Sequence, residues 1–258
     1  MSAKHDLMMA FWSERVRAYA ADPRANTNDI WLRELEIRAV EEVLEEASPA
    51  RVLDFGCANG FTTLRLARRY PSTAFLGLDI NPEMIAAAEA QRVRDGIENA
   101  SFRVFNVLDR GLEDHFDLIY AIRVFQNLED SQAQERACDR LTDALSPGGH
   151  LFWIESYLDG YVELNESRLA MGLTELPIHP HLTLLSEAID RHAMSRLKFV
   201  RKTHPSSAYY WSTRILYAFL AKQRGEEIDY NHPIHQAASL APSIGTFGPQ
   251  RALLFQAG

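Results

Sequence analysis

The chain has 258 residues, 47% of them hydrophobic and 24% charged, the composition of an ordinary globular unit rather than a disordered or fibrous one. Its formal net charge of -8 argues against a nucleic-acid partner, whose phosphates require a basic stripe, and no apolar run reaches the ~20 residues of a membrane span. Cys57 and Cys138 have neither framework nor metal spacing and the N-terminus lacks a signal-peptide core, so a soluble cytoplasmic protein with two free thiols and no metal site is expected.

Residues 8–20 read as a helix carrying Phe11, Trp12, Arg15 and Tyr19, broken by Asp22-Pro23. Thr27 or Asn28 is expected to cap the next helix, with Asp29 in its first turn and Leu32, Leu35, Ala39 and Val43 along one apolar face. From Arg51, short apolar runs alternate with amphipathic ones, the pattern of a parallel sheet covered on both faces. Strands are expected at 51–55, 74–78, 101–105, 116–121 and 149–155. Asn81-Pro82 opens a helix, with asparagine as cap and proline at the first helical position. Ser131-Gln132-Ala133-Gln134 reads as a capping box for a helix that ends before the turn Ser146-Pro147-Gly148-Gly149.

After Glu155 a short helix and a Pro/His-rich loop fill 156–182, followed by a helix over 182–192 and strands at 197–202 and 252–256. Residues 203–251 separate those last two strands, where a hairpin needs only a few. They hold two helices, near 208–223 and 233–240, and are expected to cap a ligand crevice. The expected organisation is a single domain over 1–258: N-terminal helices in 1–48, a ligand-binding core in 49–155, and substrate-side elements in 156–258 with the 203–251 insertion.

The most informative run is Val52-Leu53-Asp54-Phe55-Gly56-Cys57-Ala58-Asn59-Gly60, a buried strand entering a tight glycine turn. An acidic residue, Asp79, ends the next strand. That pairing suits an adenosine-containing ligand: the turn lets backbone approach it, and the carboxylate accepts hydrogen bonds from ribose hydroxyls. A nicotinamide site would want G-x-G-x-x-G, but Ala58 and Phe61 stand at the second and third glycine positions.

The turn instead resembles motif I of class I S-adenosylmethionine-dependent methyltransferases, D/E-x-G-x-G-x-G, with Ala58 replacing the middle glycine. Gly77-Leu78-Asp79-Ile80 is similar to that family's second strand end. Phe102-Arg103-Val104-Phe105-Asn106-Val107 is similar to its third, with Asn106 where an acid usually meets the adenine amino group. Phe116 to Ala121 resembles the fourth strand, and Leu145-Ser146-Pro147-Gly148-Gly149 the entry to the fifth. Arg123 to Leu128, Leu164 to Arg168 and Met171-Gly172-Leu173 resemble a bacterial subgroup of small-molecule methyltransferases.

The resemblance implies an α/β, Rossmann-like fold with a seven-stranded, mostly parallel sheet, helices on both faces and a helical cap. It implies S-adenosyl-L-methionine as cofactor, held by Asp54, Gly56, Cys57, Ala58, Gly60, Asp79, Ile80, Asn106, Val107, Ile122 and Arg123. The implied reaction is methylation of an O or N atom of a small molecule, such as a sugar or secondary metabolite. The oligomeric state is open, a homodimer included. Rival readings are a non-catalytic S-adenosylmethionine-binding sensor or partner subunit, and an NAD-dependent oxidoreductase.

Methyl transfer from a sulfonium is an in-line displacement that rests on positioning, and a nucleophile of high pKa also needs a base within reach. Glu155 at the end of the fifth strand and His179 and His181 beyond it are the catalytic candidates, each weighed against a structural role. Arg123 could fork onto a carboxylate, of the cofactor or of a substrate, or pair with Glu129 or Asp130. Tyr157, Tyr210 and Arg214 are the substrate-side candidates. Trp12, Tyr19 and Arg33 are similar candidates for closing the cofactor pocket, with core packing as the alternative.

Overall fold

The computed structural model describes residues 2–258. Two helices, α1 (Ala3–Tyr19) and α2 (Ile30–Ala47), precede the sheet. Then β1 (Arg51–Phe55), α3 (Phe61–Arg69), β2 (Ala74–Asp79), α4 (Pro82–Arg94), β3 (Ala100–Val104), β4 (Phe116–Ile122), α5 (Ser131–Asp143) and β5 (Leu145–Ser156) alternate. The chain continues through α6 (Leu158–Ala170), α7 (Glu187–Met194) and β6 (Lys198–Thr203). A helical run follows: α8 (Ser207–Tyr210), a π-helical stretch (Trp211–Tyr217) and α9 (Ala218–Arg224). The last elements are α10 (Pro233–Leu240) and β7 (Gln250–Gln256).

The seven strands lie in the order β3-β2-β1-β4-β5-β7-β6, with β7 antiparallel to both neighbours and every other pairing parallel. Successive side chains on a strand point to opposite faces, so each central strand feeds two cores. Leu53, Ile119, Leu151, Trp153 and Phe255 pack with α5 and α7. Val52, Leu118, Tyr120, Phe152, Ile154 and Leu254 pack with α2 and α3. This explains why the strands read as nearly continuous apolar runs.

Three local expectations change. Asp29, not Thr27 or Asn28, caps α2: its carboxylate accepts the Leu32 N–H at 3.1 Å. Asp130, not Ser131, caps α5, accepting the Ala133 N–H at 2.7 Å. The side chain of Gln134 is drawn elsewhere, donating to the carbonyls of Phe125 and Thr183, so no capping box forms. Finally, β5 begins at Leu145, which pairs with Phe116 before a register shift brings His150 opposite Leu118. Ser146 to Gly149 therefore bulge within the strand. A Cβ on Gly149 would lie 2.8 Å from the Ser146 carbonyl oxygen and 2.9 Å from that of Phe116, so glycine is required there.

Strand order reverses between β1 and β4, because β1 continues outward to β2 and β3 while β4 continues to β5. Open α/β sheets bind ligands at that switch point, outside the carboxyl ends of the strands. The carboxyl ends of β1, β2, β3 and β4 surround one cavity of about 1200 Å³, its mouth included.

Candidate functional site

The glycine turn forms the cavity's inner wall. Gly56 and Cys57 N–H both donate to the Leu78 carbonyl, at 2.7 and 2.9 Å, which folds the turn down onto the end of β2. Gly56 has φ +74°, and a Cβ there would sit 2.5 Å from Val124 Cγ2, so this position needs glycine twice over. Ala58, the substitute for the family's middle glycine, also has positive φ, +49°. Its N–H donates to Asp79 Oδ2 at 2.9 Å, and the Asn81 N–H donates to Asp79 Oδ1 at 2.8 Å. The carboxylate of Asp79 is thus aimed by backbone before any ligand arrives. Burial pushes its pKa up, against the pull of those two amides.

Gly56, Ala58, Asp79, Ile80, Asn106, Val107, Ile122 and Arg123 all border the cavity. Asn106 Oδ1 accepts the Leu108 N–H at 3.0 Å, which holds the turn after β3. Three other residues of the expected cofactor set face away from it. Asp54 points into the core, where Oδ2 accepts from Thr63 Oγ1 at 2.6 Å and from the Tyr120 hydroxyl at 2.7 Å. Burial raises its pKa to about 6. Cys57 is buried, with its sulfur 2.8 Å from where a Cβ on Gly77 would lie. Gly60 caps α3 at φ +71°, and a Cβ there would meet Phe102 and Ala88, so it is a packing glycine on the far side of the turn.

The catalytic candidates are also displaced. Glu155 is fully buried and borders no part of the cavity. Its Oε1 accepts the N–H groups of Val124 and Phe125 at 2.6 and 2.8 Å, and Oε2 accepts that of Gln126 at 3.2 Å. It anchors the one-turn helix Phe125–Asn127, which follows β4 and does line the cavity. Burial pushes its pKa to about 8 despite those donors. His179 and His181 stack on each other at 5.5 Å, and both pack on Phe11 of α1. They pin α1 from outside rather than face the cavity.

None of the substrate-side candidates borders the cavity, and for Tyr210 and Arg214 the reason is shared. The 203–251 insertion packs on α2, not over the cavity. Arg214 is paired with Asp29 and lies among the rings of Tyr209, Tyr210 and Tyr230. Tyr210 belongs to the apolar cluster with Leu32 and Leu35. Tyr157 is fully buried, its hydroxyl 2.5 Å from Asp190 Oδ1.

The cover comes from α1 instead. Lys4, His5, Met8 and Trp12 border the cavity. Three asparagines tie this segment down: Asn127 Oδ1 accepts from Trp12 Nε1 at 3.2 Å, and Asn81 Nδ2 donates to Ser13 Oγ at 3.0 Å. Asn59, inside motif I, donates to the carbonyls of Ala20 and Asp22 at 2.8 and 3.0 Å. The pattern of α1 carries little sign of this role, since only Met8 and Val16 of its residues are buried. Tyr19 does not border the cavity; Arg33 does. Arg123, with φ +57°, pairs with Glu36 of α2 and not with Glu129 or Asp130.

The chain is similar in sequence and in fold to class I S-adenosylmethionine-dependent methyltransferases. Residues 53–151 match the methyltransferase domain family. A trans-aconitate 2-methyltransferase of Deinococcus radiodurans is 34% identical over 119 residues, covering 46% of this chain and 43% of that protein. One of Pseudomonas aeruginosa is 25% identical over 239 residues, covering 87% and 78%. The chain thus spans less than half the length of the first relative and over three quarters of the second. Among solved structures, the N-methyltransferase NodS of Bradyrhizobium japonicum with bound S-adenosylhomocysteine superposes with a TM-score of 0.62. The alignment covers 97% of this chain and 98% of that one at 17% identity, a likeness of fold. Both the sheet order and the family agree with the architecture expected from the sequence. No helix among the described residues is long and apolar enough to cross a membrane.

Proposed function

We propose that this protein binds S-adenosyl-L-methionine in the cavity over the β1/β4 switch point and transfers its methyl group to an O or N atom of a small molecule. One observation carries the reading: the Asp79 carboxylate at the cavity wall, oriented by the Ala58 and Asn81 amides. The donor set fits the cofactor. Asp79 can accept from the ribose hydroxyls, Phe105 to Leu108 can flank the adenine, and the Gly56–Ala58 turn with Arg123 can take the amino-acid end. When bound, the sulfonium supplies the electrophilic methyl carbon.

The chain's own residues then position and exclude water. Met8 and Trp12 of α1 close the cavity from above, and Val124, Gln126 and Leu128 form the wall beyond β4. An acceptor that must lose a proton finds His5 of α1 and Glu129 beyond β4 bordering the cavity, which Glu155, His179 and His181 do not reach. The P. aeruginosa relative is named for a carboxylic acid and NodS for nitrogen, so the acceptor class rests on the cavity itself.

Thermal denaturation with S-adenosylhomocysteine and with NAD tests this. A rise in Tm with S-adenosylhomocysteine alone is expected. A rise with NAD alone would replace the methyltransferase reading by the nicotinamide one.

A further inference from the structure

The one-turn helix Phe125–Asn127 places two carboxamides on the cavity wall, those of Gln126 and Asn127. The fold uses the second. Asn127 Oδ1 accepts from Trp12 Nε1 at 3.2 Å, and its Nδ2 donates to the Arg123 carbonyl at 2.8 Å. Gln134 of α5 likewise spends its Nε2 on the carbonyls of Phe125 and Thr183. Gln126 differs. It is 8% exposed, and its Oε1 is buried with no hydrogen-bond partner among the described residues. The hydrogen bonds it makes among those residues come from its backbone: the N–H donates to Glu155 Oε2 at 3.2 Å, and the carbonyl accepts the Thr183 N–H at 2.7 Å. The main chain of Gln126 is fixed while its carboxamide is idle.

A buried carboxamide without a partner costs stability, so an idle one at a cavity wall calls for a partner that the cavity receives. The last torsion of a glutamine is broad, so either its oxygen or its nitrogen can turn to a ligand. The surroundings select the partner's chemistry. The bond from Trp12 to Asn127 sets the indole beside this turn, and Met8, Val124 and Leu128 border the same cavity, so this stretch of wall is mostly apolar. Lys4 is engaged, its Nζ donating to the Glu129 carbonyl at 3.1 Å and to Thr183 Oγ1, while Arg33 and Arg123 pair with Glu36. A carboxylate entering here would meet an uncharged amide and, in Glu129, a like charge. A neutral donor meets no such cost: a hydroxyl can donate to Oε1, and an amide can pair both its N–H and its C=O with the carboxamide.

We propose that Gln126 is a specificity-determining residue of the cavity, and that the methyl acceptor presents to it a neutral amide or hydroxyl carried on a compact apolar or aromatic body. The inference rests on the function proposed above, in which Asp79, Phe105 to Leu108 and the Gly56–Ala58 turn with Arg123 take the cofactor and leave Met8, Trp12, Val124, Gln126 and Leu128 to the acceptor. Gln126 binds and orients; it moves no proton.

The test uses the full chain loaded with S-adenosylhomocysteine, titrated calorimetrically with benzamide, benzyl alcohol and benzoate. Benzamide and benzoate share a shape and differ in charge. The wild type is expected to bind at least one neutral probe, and to bind it at least about tenfold more tightly than benzoate. Gln126→Met keeps the side-chain length without the amide. It should lower the neutral probe's affinity at least about fivefold, the low end for a polar group left unpaired, and leave S-adenosylhomocysteine affinity within threefold. The ligand-free Tm should not fall, because no bond within the fold is lost. Benzoate bound as tightly as benzamide, or no neutral probe bound, overturns the proposed class. Neutral binding unchanged in Gln126→Met, or S-adenosylhomocysteine affinity lost more than tenfold, overturns the role of Gln126. A wild type that binds no S-adenosylhomocysteine defeats the cofactor reading instead, and the Tm of ligand-free Gln126→Met still judges whether the carboxamide is idle.

Discussion

Gly60→Ala separates a packing glycine from a ligand glycine. Gly60 sits in motif I, yet its missing side chain faces Phe102 Cζ at 2.7 Å and Ala88 Cβ at 2.8 Å, not the cavity. At φ +71° an alanine pays about 1–2 kcal/mol for the left-handed backbone. Overpacking against Phe102 and Ala88 adds about 1–3 kcal/mol. The lower entropy of alanine in the unfolded chain returns about 0.5–1 kcal/mol. The net loss of about 1–4.5 kcal/mol corresponds to a Tm drop of roughly 2–18 °C for a chain of this size. Scanning calorimetry reads that drop, and titration of the folded variant with S-adenosylhomocysteine should give an affinity within threefold of wild type. A near-native Tm with affinity lost more than about 30-fold would place Gly60 against the cofactor and refute the reasoning.

Asp79→Ala should weaken S-adenosylhomocysteine binding by about 1–3 kcal/mol, because a charged acceptor is lost and the Ala58 amide loses its anchor; unchanged calorimetric affinity would mean that the ribose lies elsewhere. Glu155→Ala strands three backbone N–H groups and should cost at least about 3 kcal/mol of stability in urea unfolding. A fully stable variant without turnover would return Glu155 to a catalytic role. Asp54 titrates near 6 when folded against 3.8 ordinarily, so its stabilising contribution is complete below about pH 4 and is lost as pH rises through 6, a change of about 3 kcal/mol. Since Thr63 and Tyr120 both donate to one oxygen, Asp54→Asn keeps both bonds, and its stability should gain on wild type by that amount between pH 4 and pH 8. A gap that does not widen with pH would show that Asp54 stays ionised throughout.

The strands, their order of appearance and the glycine turn were legible because each rests on local rules. A two-sided apolar run, an Asn-Pro helix start and an aspartate at a strand end are decided within a few residues. Helix caps were less legible, since Thr27, Asn28 and Asp29, or Asp130 and Ser131, offer equivalent oxygens and only backbone geometry selects one. Residue chemistry alone also pointed to Glu155, His179 and His181 as catalytic candidates, but which way each side chain faces depends on what packs against it.

Tertiary structure decided the cover and the charges. The long insertion looked like a lid, yet Asp29, Arg214 and the tyrosines around them seat it on α2. The sparsely buried α1 closes the cavity instead, held by asparagines from three separate turns. Arg33 and Glu36 lie almost ninety residues before Arg123 and over two hundred before Gln250, and only the fold brings those four together. The sequence by itself determined the sheet and the glycine-turn wall of the cavity, because those depend on period and turn chemistry. The cover and the buried charge cluster depend on long-range packing, which no local pattern encodes.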